Sequence, residues 1–371
     1  MSERKEYTIG EICSRFSSGK SIKASQISAE GLYPVYGGNG LRGFTDTFNF
    51  DGECSIIGRQ GAYCGNVRYF KGKAFMTEHA IVAVVNENHN NGYVSNLLSM
   101  MNLAQYQGQS AQPGLSVSTL SKITIKLPDL ATQEQCFNVL NLIDQKIQIN
   151  NQINQELEDM AKTLYDYWFV QFDFPDQNGK PYKSSGGKMV YNPELKREIP
   201  EGWGVEKLSH FLTIKNGKDH KHLQDGKFAV YGSGGIMRMV TDYLYSGESI
   251  LFPRKGTLNN VMYVNEKFWT VDTMFYSEVN KNNSALYVFY SVKDIDFNKL
   301  NTGTGVPSMT SSILYDLNII VPEENILEKF NTIVKQNYET IKLNSIQNQE
   351  LTQLRDWLLP MLMNGQVKVE R

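Results

Sequence analysis

Four consecutive residues, Asn154, Gln155, Glu156 and Leu157, recur in the same order as Asn348, Gln349, Glu350 and Leu351. Subtracting 154 from 348 gives an offset of 194 residues, and at that offset a long apolar-periodic stretch repeats as well. An internal repeat constrains the fold more than any composition value, because the supersecondary unit built by one copy must be built by the other. The first stretch, Ala131 to Gln171, reads as one helix with almost no breakers. Its apolar residues Leu140, Ile143, Ile147, Ile153, Leu157, Met160 and Leu164 fall mainly at spacings of three and four, as on a helix with a single buried seam. The second, Glu324 to Met363, places Phe330, Val334, Ile341, Leu351, Leu354, Leu358 and Met361 on its seam, and Asn344 falls where Asn150 falls in the first.

Each helix is too long to be covered by a small domain, so the economical arrangement is to pack the two on each other as a coiled coil. Asn150 and Asn344 lie on or beside the apolar stripe, where a polar residue costs stability and can fix register and partner. The competing reading makes both helices amphipathic elements on globular domains, with the two asparagines solvated. A helix of about 40 residues spans roughly 60 Å, so an antiparallel pair would hold the duplicated parts at a fixed distance.

Short apolar and aromatic runs cut by Gly, Asn and Asp fill the chain before each helix: Tyr33 to Tyr36, Ser55 to Ile57, Val67 to Phe70, Ala80 to Val85 and Ile123 to Leu127 in the first copy. This is a strand-and-turn pattern, with a short helix expected over Ser95 to Tyr106. It returns from Val205 to Val321, where Tyr231-Gly232 matches Tyr36-Gly37, Gly247-Glu248 matches Gly52-Glu53, Arg254 and Gly256 match Arg59 and Gly61, and Pro322 matches Pro128. The expected order is a β-rich domain at 1–130, a long spacer helix at 131–171, a Pro- and Gly-rich connector at 172–204, a second β-rich domain at 205–322, a second spacer helix at 323–365 and a tail at 366–371. The fold class is α+β: two duplicated β-rich domains separated by two long antiparallel helices that form a coiled coil.

With 371 residues and 41% hydrophobic content there is room for two or three proper cores. A net charge of −2 means that any basic surface must be made by local segregation of charge. The four cysteines, Cys13, Cys54, Cys64 and Cys136, contain no C-x-x-C pair and are read as reduced thiols. The N-terminal residues lack the apolar core of a signal peptide and no apolar run approaches membrane-spanning length, so the cytoplasm is expected.

Gly38 to Gly43 spells G-x-G-x-x-G, but Phe44, Thr45, Phe48 and Phe50 follow where a nucleotide-binding unit needs a helix, so a surface turn that approaches a ligand is the better reading. Arg59-Gln60 and its echo Arg254-Lys255 place basic and hydrogen-bonding side chains on a turn directly after a strand. There Arg can pair with phosphates or with guanine O6 and N7, and Gln can read adenine. Around them the first copy offers Tyr36, Asn39, Arg42, Tyr63, Asn66, Arg68, Lys71 and Lys73 as DNA contacts, and the second offers Tyr231, Ser233, Arg238, Asn259 and Asn260. The alternative for Arg59 is a surface salt bridge. Pro175-Asp176 with Glu194-Leu195-Lys196 imitates a nuclease motif that would hold Mg²⁺, but it lies in the connector rather than on a strand pair and is read as chance. His220 and His222 have no evident third ligand, and no metal site is expected.

Tyr36 to Gly40, Ile123 to Pro128 leading into Glu134-Gln135, Leu164 to Pro175 and above all Pro181 to Trp203 carry a family resemblance. On these stretches, and over essentially its whole length, the sequence resembles the specificity (S) subunit of type I restriction-modification systems, the HsdS family. The second copy departs at its helix start, where Val321 to Phe330 lacks the family's P-x-x-E-Q. The resemblance implies two target-recognition domains, each reading one half of a bipartite, asymmetric double-stranded DNA target, joined by helices that set the gap. It further implies two modification subunits that dock near the helices, bind S-adenosylmethionine and methylate adenine N6, and two restriction subunits that use ATP and Mg²⁺. This chain itself would be non-catalytic and carry no cofactor. A methylation-only complex without restriction subunits and an assembly scaffold that does not touch DNA are the alternatives.

Overall fold

A computed structural model of the chain describes residues 4–108, 114–301, 305 and 307–369. Its contacts separate two compact units, Met1–Asn150 with Ser345–Arg371, and Asn151–Asn344.

Unit 1 opens with β1 (Lys5–Thr8), the single turn α1 (Ile9–Ile12) and β2 (Cys13–Ser18). Thr8 and Glu11 close a reciprocal capping box on α1, which satisfies two backbone donors and fixes the chain's entry into the domain. There follow β3 (Tyr33–Gly37), β4 (Gly40–Thr45), β5 (Phe50–Gly58), β6 (Val67–Met76) and β7 (Ala80–Val85). The helix α2 (Asn91–Met100), the turn α3 (Val117–Leu120) and β8 (Thr124–Leu127) complete it. The main sheet has the order β2-β7-β5-β6-β3-β4, antiparallel except for β3 against β6, and β8 returns to pair with β1. Ile57 and Ile81 on one face of the sheet pack with Ile9, Tyr93, Leu98 and Leu140 from the helices in a single core.

The helix expected over Ser95 to Tyr106 instead starts at Asn91, because the Asn90 side chain caps it by accepting from the Tyr93 N–H at 2.8 Å, and it gives way after Met100 to a 3₁₀ turn at Leu103–Tyr106. All four cysteines are free, and burial pushes the Cys13 and Cys54 thiols up to about 12.

From Gly204 the chain rebuilds the same succession: β11 (Gly204–Lys207), α5 (Leu208–Phe211), β12 (Leu212–Asn216), β13 (Asp225–Gly232), β14 (Gly235–Val240), β15 (Tyr245–Pro253), β16 (Met262–Thr270), β17 (Met274–Val279), α6 (Ala285–Lys293), α7 (Ser311–Tyr315) and β18 (Asn318–Val321). Its sheet order, β12-β17-β15-β16-β13-β14, repeats the first strand for strand, including the one parallel pair. In unit 2 the sheet is tied to the following helix by charge as well as by packing. Lys342 meets Glu266 at 2.9 Å, Lys335 meets Glu248 at 3.6 Å, and the Tyr263 and Tyr338 rings lie 4.6 Å apart.

The connector folds onto unit 2 and is more than a linker. It contains a hairpin of β9 (Met189–Asn192) and β10 (Arg197–Pro200), and it buries Phe172, Phe174, Ile199 and Trp203 in the unit 2 core. Asp173 organises its first turn, accepting from the Ser184 N–H at 2.7 Å and from the Ser184 hydroxyl at 2.5 Å, and these bonds hold its carboxyl below the usual aspartate range. A depressed folded-state value means stability that is present above the ordinary aspartate pKa and lost as pH falls through the lower, folded-state one. Asp173→Asn is therefore expected to flatten the acid side of a stability-against-pH profile measured by urea unfolding; an unchanged acid limb would refute the assignment.

The two long helices are α4 (Leu130–Tyr165), followed by a π turn at Asp166–Val170, and α8 (Glu324–Asn364). Asp129 caps α4 by accepting from the Thr132 N–H at 2.9 Å. They pair antiparallel within each unit. In unit 1 Asn150 donates to Gln347 at 2.8 Å and Asn348 at 2.9 Å, and Arg355 reaches Asp144 at 2.9 Å. In unit 2 Asn344 donates to Asn154 at 2.9 Å and Asn337 to the Leu157 carbonyl at 3.4 Å.

The seam between the helices, part buried and part half-buried, follows a heptad. On α4 it takes Leu140, Ile147, Asn154 and Ala161 with Ile143, Asn150, Leu157 and Leu164; on α8 it takes Val334, Ile341, Asn348, Arg355 and Leu362 with Asn337, Asn344, Leu351 and Leu358. Ile153, Met160 and Leu354, expected on the seam, are exposed instead, because they fall one position off this heptad. Asn150 is fully buried, and its amide oxygen has no partner among the described residues. A polar centre of this kind lowers stability while excluding shifted registers.

Candidate nucleic-acid interface

In unit 1 three connections meet at one end of the main sheet: the β3–β4 turn, the β5–β6 loop at 59–66 and the β6–β7 turn. Backbone bonds join them, with Thr77 N–H to the Tyr36 carbonyl at 2.8 Å and Arg59 N–H to the His79 carbonyl at 3.0 Å, and Leu115, just before α3, donates its N–H to the Arg59 carbonyl at 2.8 Å. The approach is so close that a Cβ on Gly58 would stand 2.4 Å from the Tyr63 carbonyl oxygen and 2.6 Å from that of Gly38. Glycine is required there by contact, and the turn at Gly38-Asn39, with Asn39 exposed, packs against the loop. No helix follows the G-x-G-x-x-G segment, which lies in the β3–β4 hairpin.

This end gathers Asn39, Arg42, Tyr63, Asn66 and Arg68 as exposed side chains and Arg59 and Gln60 as half-buried ones. Tyr36 is half-buried against Phe70, with ring centroids 5.1 Å apart; burial pushes its hydroxyl up and the nearby Arg68 charge partly offsets that. Among the described residues no ion pair involves Arg42, Arg59 or Arg68. Arg59 does not close a salt bridge; its guanidinium only approaches the Glu78 carbonyl at 3.5 Å. Lys71 and Lys73 stand apart from this group. They lie at the far end of the β5–β6 ladder, Lys71 paired with Glu53 at 2.8 Å and Lys73 near Asp51 at 3.9 Å and over the Phe48 ring at 5.0 Å.

Unit 2 assembles the equivalent end from Ser233, Arg254 and Lys255. The Arg254 and Lys255 N–H groups both donate to the Thr273 carbonyl, at 2.8 and 3.2 Å, and a Cβ on Gly256 would meet the Ser233 hydroxyl at 3.0 Å. Arg254 lies over the Phe275 ring at 5.8 Å, and both cations are exposed and absent from the ion pairs of the described residues. The remaining candidates serve the fold. Tyr231 is buried and donates to Glu266 at 2.8 Å, burial and that carboxylate together pushing its hydroxyl far up. Arg238 is held by Asp225 at 2.8 Å and the Leu223 carbonyl at 3.0 Å. Asn259 donates to Asp296 at 3.1 Å and Asn260 to the Ser233 carbonyl at 2.8 Å, fixing the loop.

Sequence reading did not single out His79, exposed on the β6–β7 turn, or Ile236 and Met237, exposed on β14. Applying the Tyr36–Tyr231 spacing to Arg42 would have found Met237. Asp176 accepts from the Asn178 and Lys180 N–H groups, both at 2.8 Å, in a connector turn, and no group of three His, Cys, Asp or Glu able to hold a metal occurs among the described residues. No helix among them is long and apolar enough to cross a membrane.

Residues 1–159 and 200–353 match the family described as the type I restriction modification DNA specificity domain. The type I restriction enzyme MjaIX specificity subunit of Methanocaldococcus jannaschii is 30% identical over 297 residues, a match covering 72% of this chain and 66% of that relative. The type I restriction enzyme EcoprrI specificity subunit of Escherichia coli is 40% identical over 146 residues, 38% of this chain and 36% of the relative. The chain thus spans less than two thirds of the length of either. The crystal structure of a type I restriction-modification system S subunit from M. genitalium superposes with a TM-score of 0.70 at 18% identity, covering 97% of this chain and 96% of that one, which establishes the shared fold.

Proposed function

The chain belongs to the type I restriction modification DNA specificity family, and from that premise we propose that it reads a bipartite, asymmetric DNA target, each β-rich domain contacting one half. The observation that carries this is the loop cluster built twice, each time with an arginine directly after the central strand, Arg59 or Arg254, and without carboxylate partners among the described ion pairs. Cations held on rigid loops at a sheet's end suit phosphates and guanine edges. The paired helices act as the spacer that sets the gap.

The chain works as a non-catalytic reader in the cytoplasm, on which two modification subunits and two restriction subunits assemble; S-adenosylmethionine, ATP and Mg²⁺ belong to those partners. Exposed apolar residues on α4, Leu142 and Ile149 in unit 1 and Ile153 and Met160 in unit 2, offer each unit apolar surface for a modification subunit. The test is equilibrium binding of the complex with its modification subunit at physiological salt. A duplex carrying the methylated motif should bind at least about a thousandfold more tightly than random DNA. Equal affinities would overturn the proposal.

A further inference from the structure

The hairpins β3–β4 and β13–β14 are built in the same register. Tyr36 faces Leu41 and Gly37 faces Gly40 in one, Tyr231 faces Ile236 and Gly232 faces Gly235 in the other, and each ladder shifts register at the corresponding point, between Val35 and Tyr36 and between Val230 and Tyr231. The two turn glycines share a backbone conformation that L side chains rarely adopt, φ +97° at Gly40 and +110° at Gly235. Two residues past each turn glycine, Arg42 and Met237 occupy one scaffold position. A Cβ on Gly37 would stand 2.8 Å from Arg42 Cδ, and a Cβ on Gly232 would stand 2.5 Å from Met237 Sδ, so each side chain crosses the same glycine and emerges at the same place. Before them sit Leu41, 52% exposed, and Ile236, 58% exposed.

The two units therefore present different chemistry from one geometry. In unit 1 the position carries an exposed guanidinium with no ion-pair partner among the described residues. In unit 2 it carries a thioether that is 60% exposed beside Ile236, and the strand's own arginine, Arg238, is occupied by Asp225 and the Leu223 carbonyl. Large apolar side chains left open on an edge strand are an aggregation hazard unless a ligand covers them. Arg254 and Lys255, on the adjoining loop, suit that ligand to a polyanion. The apolar feature a DNA major groove presents is the thymine 5-methyl group, and the feature that matches a free guanidinium is the O6/N7 edge of guanine.

We infer that this position sets base preference in each unit, Arg42 selecting a guanine and Met237 with Ile236 selecting a thymine methyl group. The inference rests on the DNA-reading assignment above. It is tested with the complex of full chain and modification subunit, on duplexes carrying the motif found by methylome sequencing, by replacing single thymines with deoxyuridine and single guanines with 7-deazaguanine. In the wild-type complex one thymine of one half-site should lose about fourfold in affinity without its methyl group, and one guanine of the other half-site about tenfold without N7. The first effect should vanish in Met237→Gln and the second in Arg42→Met, each leaving the other intact; both sites are exposed, so both variants should fold. Deoxyuridine responses absent at every position, or unchanged in Met237→Gln, overturn the inference, as they would if this patch instead docks a protein. Failure of the wild-type complex to separate its motif from random DNA would overturn the DNA-reading assignment instead.

Discussion

Phe169→Ala is expected to remove about 3–5 kcal/mol from the stability of unit 2. Phe169 is 1% exposed and sits in the π turn that ends α4, with its ring centroid 4.6 Å from Tyr287 on α6, 5.0 Å from Phe330 on α8 and 6.0 Å from Trp203 of the connector. One ring thus joins four segments that are far apart in sequence, and deleting it leaves a cavity that none of them can fill without moving. Urea unfolding followed by tryptophan fluorescence, to which Trp168 and Trp203 beside the ring contribute, reads the loss. A change below about 1 kcal/mol would mean that the connector and α4 are not held through this ring.

Arg59→Ala and Arg254→Ala carry the second large effect, about 1–3 kcal/mol of DNA affinity each, or roughly five- to 150-fold. Each arginine should affect one half-site only and, if it neutralises a phosphate, lower the slope of log affinity against log salt by about one. Both arginines lie on loops locked by backbone bonds, so neither substitution should disturb the fold. Binding titrations at several salt concentrations check this. Affinity unchanged in both variants would favour an assembly scaffold that does not touch DNA.

The duplication, the α+β class and the paired helices were legible because they are periodic: a repeat offset and an apolar period survive without knowledge of contacts. The exact seam was less legible. Ile153 and Met160 look like seam residues by hydrophobicity, yet Asn154 and Ala161 take the heptad positions beside them, and only packing against the second helix distinguishes the two. The strand β4 was hidden because Gly40 and Gly43 interrupt its pattern, both with positive φ. The connector's hairpin was masked by its proline and glycine content, although its aromatic residues were signs of burial.

At the candidate interface, residue type found the arginines of the loops but could not separate free cations from paired ones. Lys71 and Arg238 read as equals of Arg59 until cross-strand register placed Glu53 and Asp225 beside them. Tyr231 and Asn260 likewise look like polar readers in sequence and prove to be internal hydrogen-bond donors.

Duplicated readers spaced by a helical pair should move apart when that pair is lengthened. Inserting one heptad after Asn150 in α4 and one after Asn344 in α8 keeps both stripes in phase and adds about 10 Å of helix, equivalent to roughly three base pairs at 3.4 Å per step. Methylome sequencing of cells carrying this variant with the modification subunit should return both half-sites unchanged and the gap between them about three base pairs longer. Altered half-site bases with an unchanged gap would rule out the helical pair as the spacer.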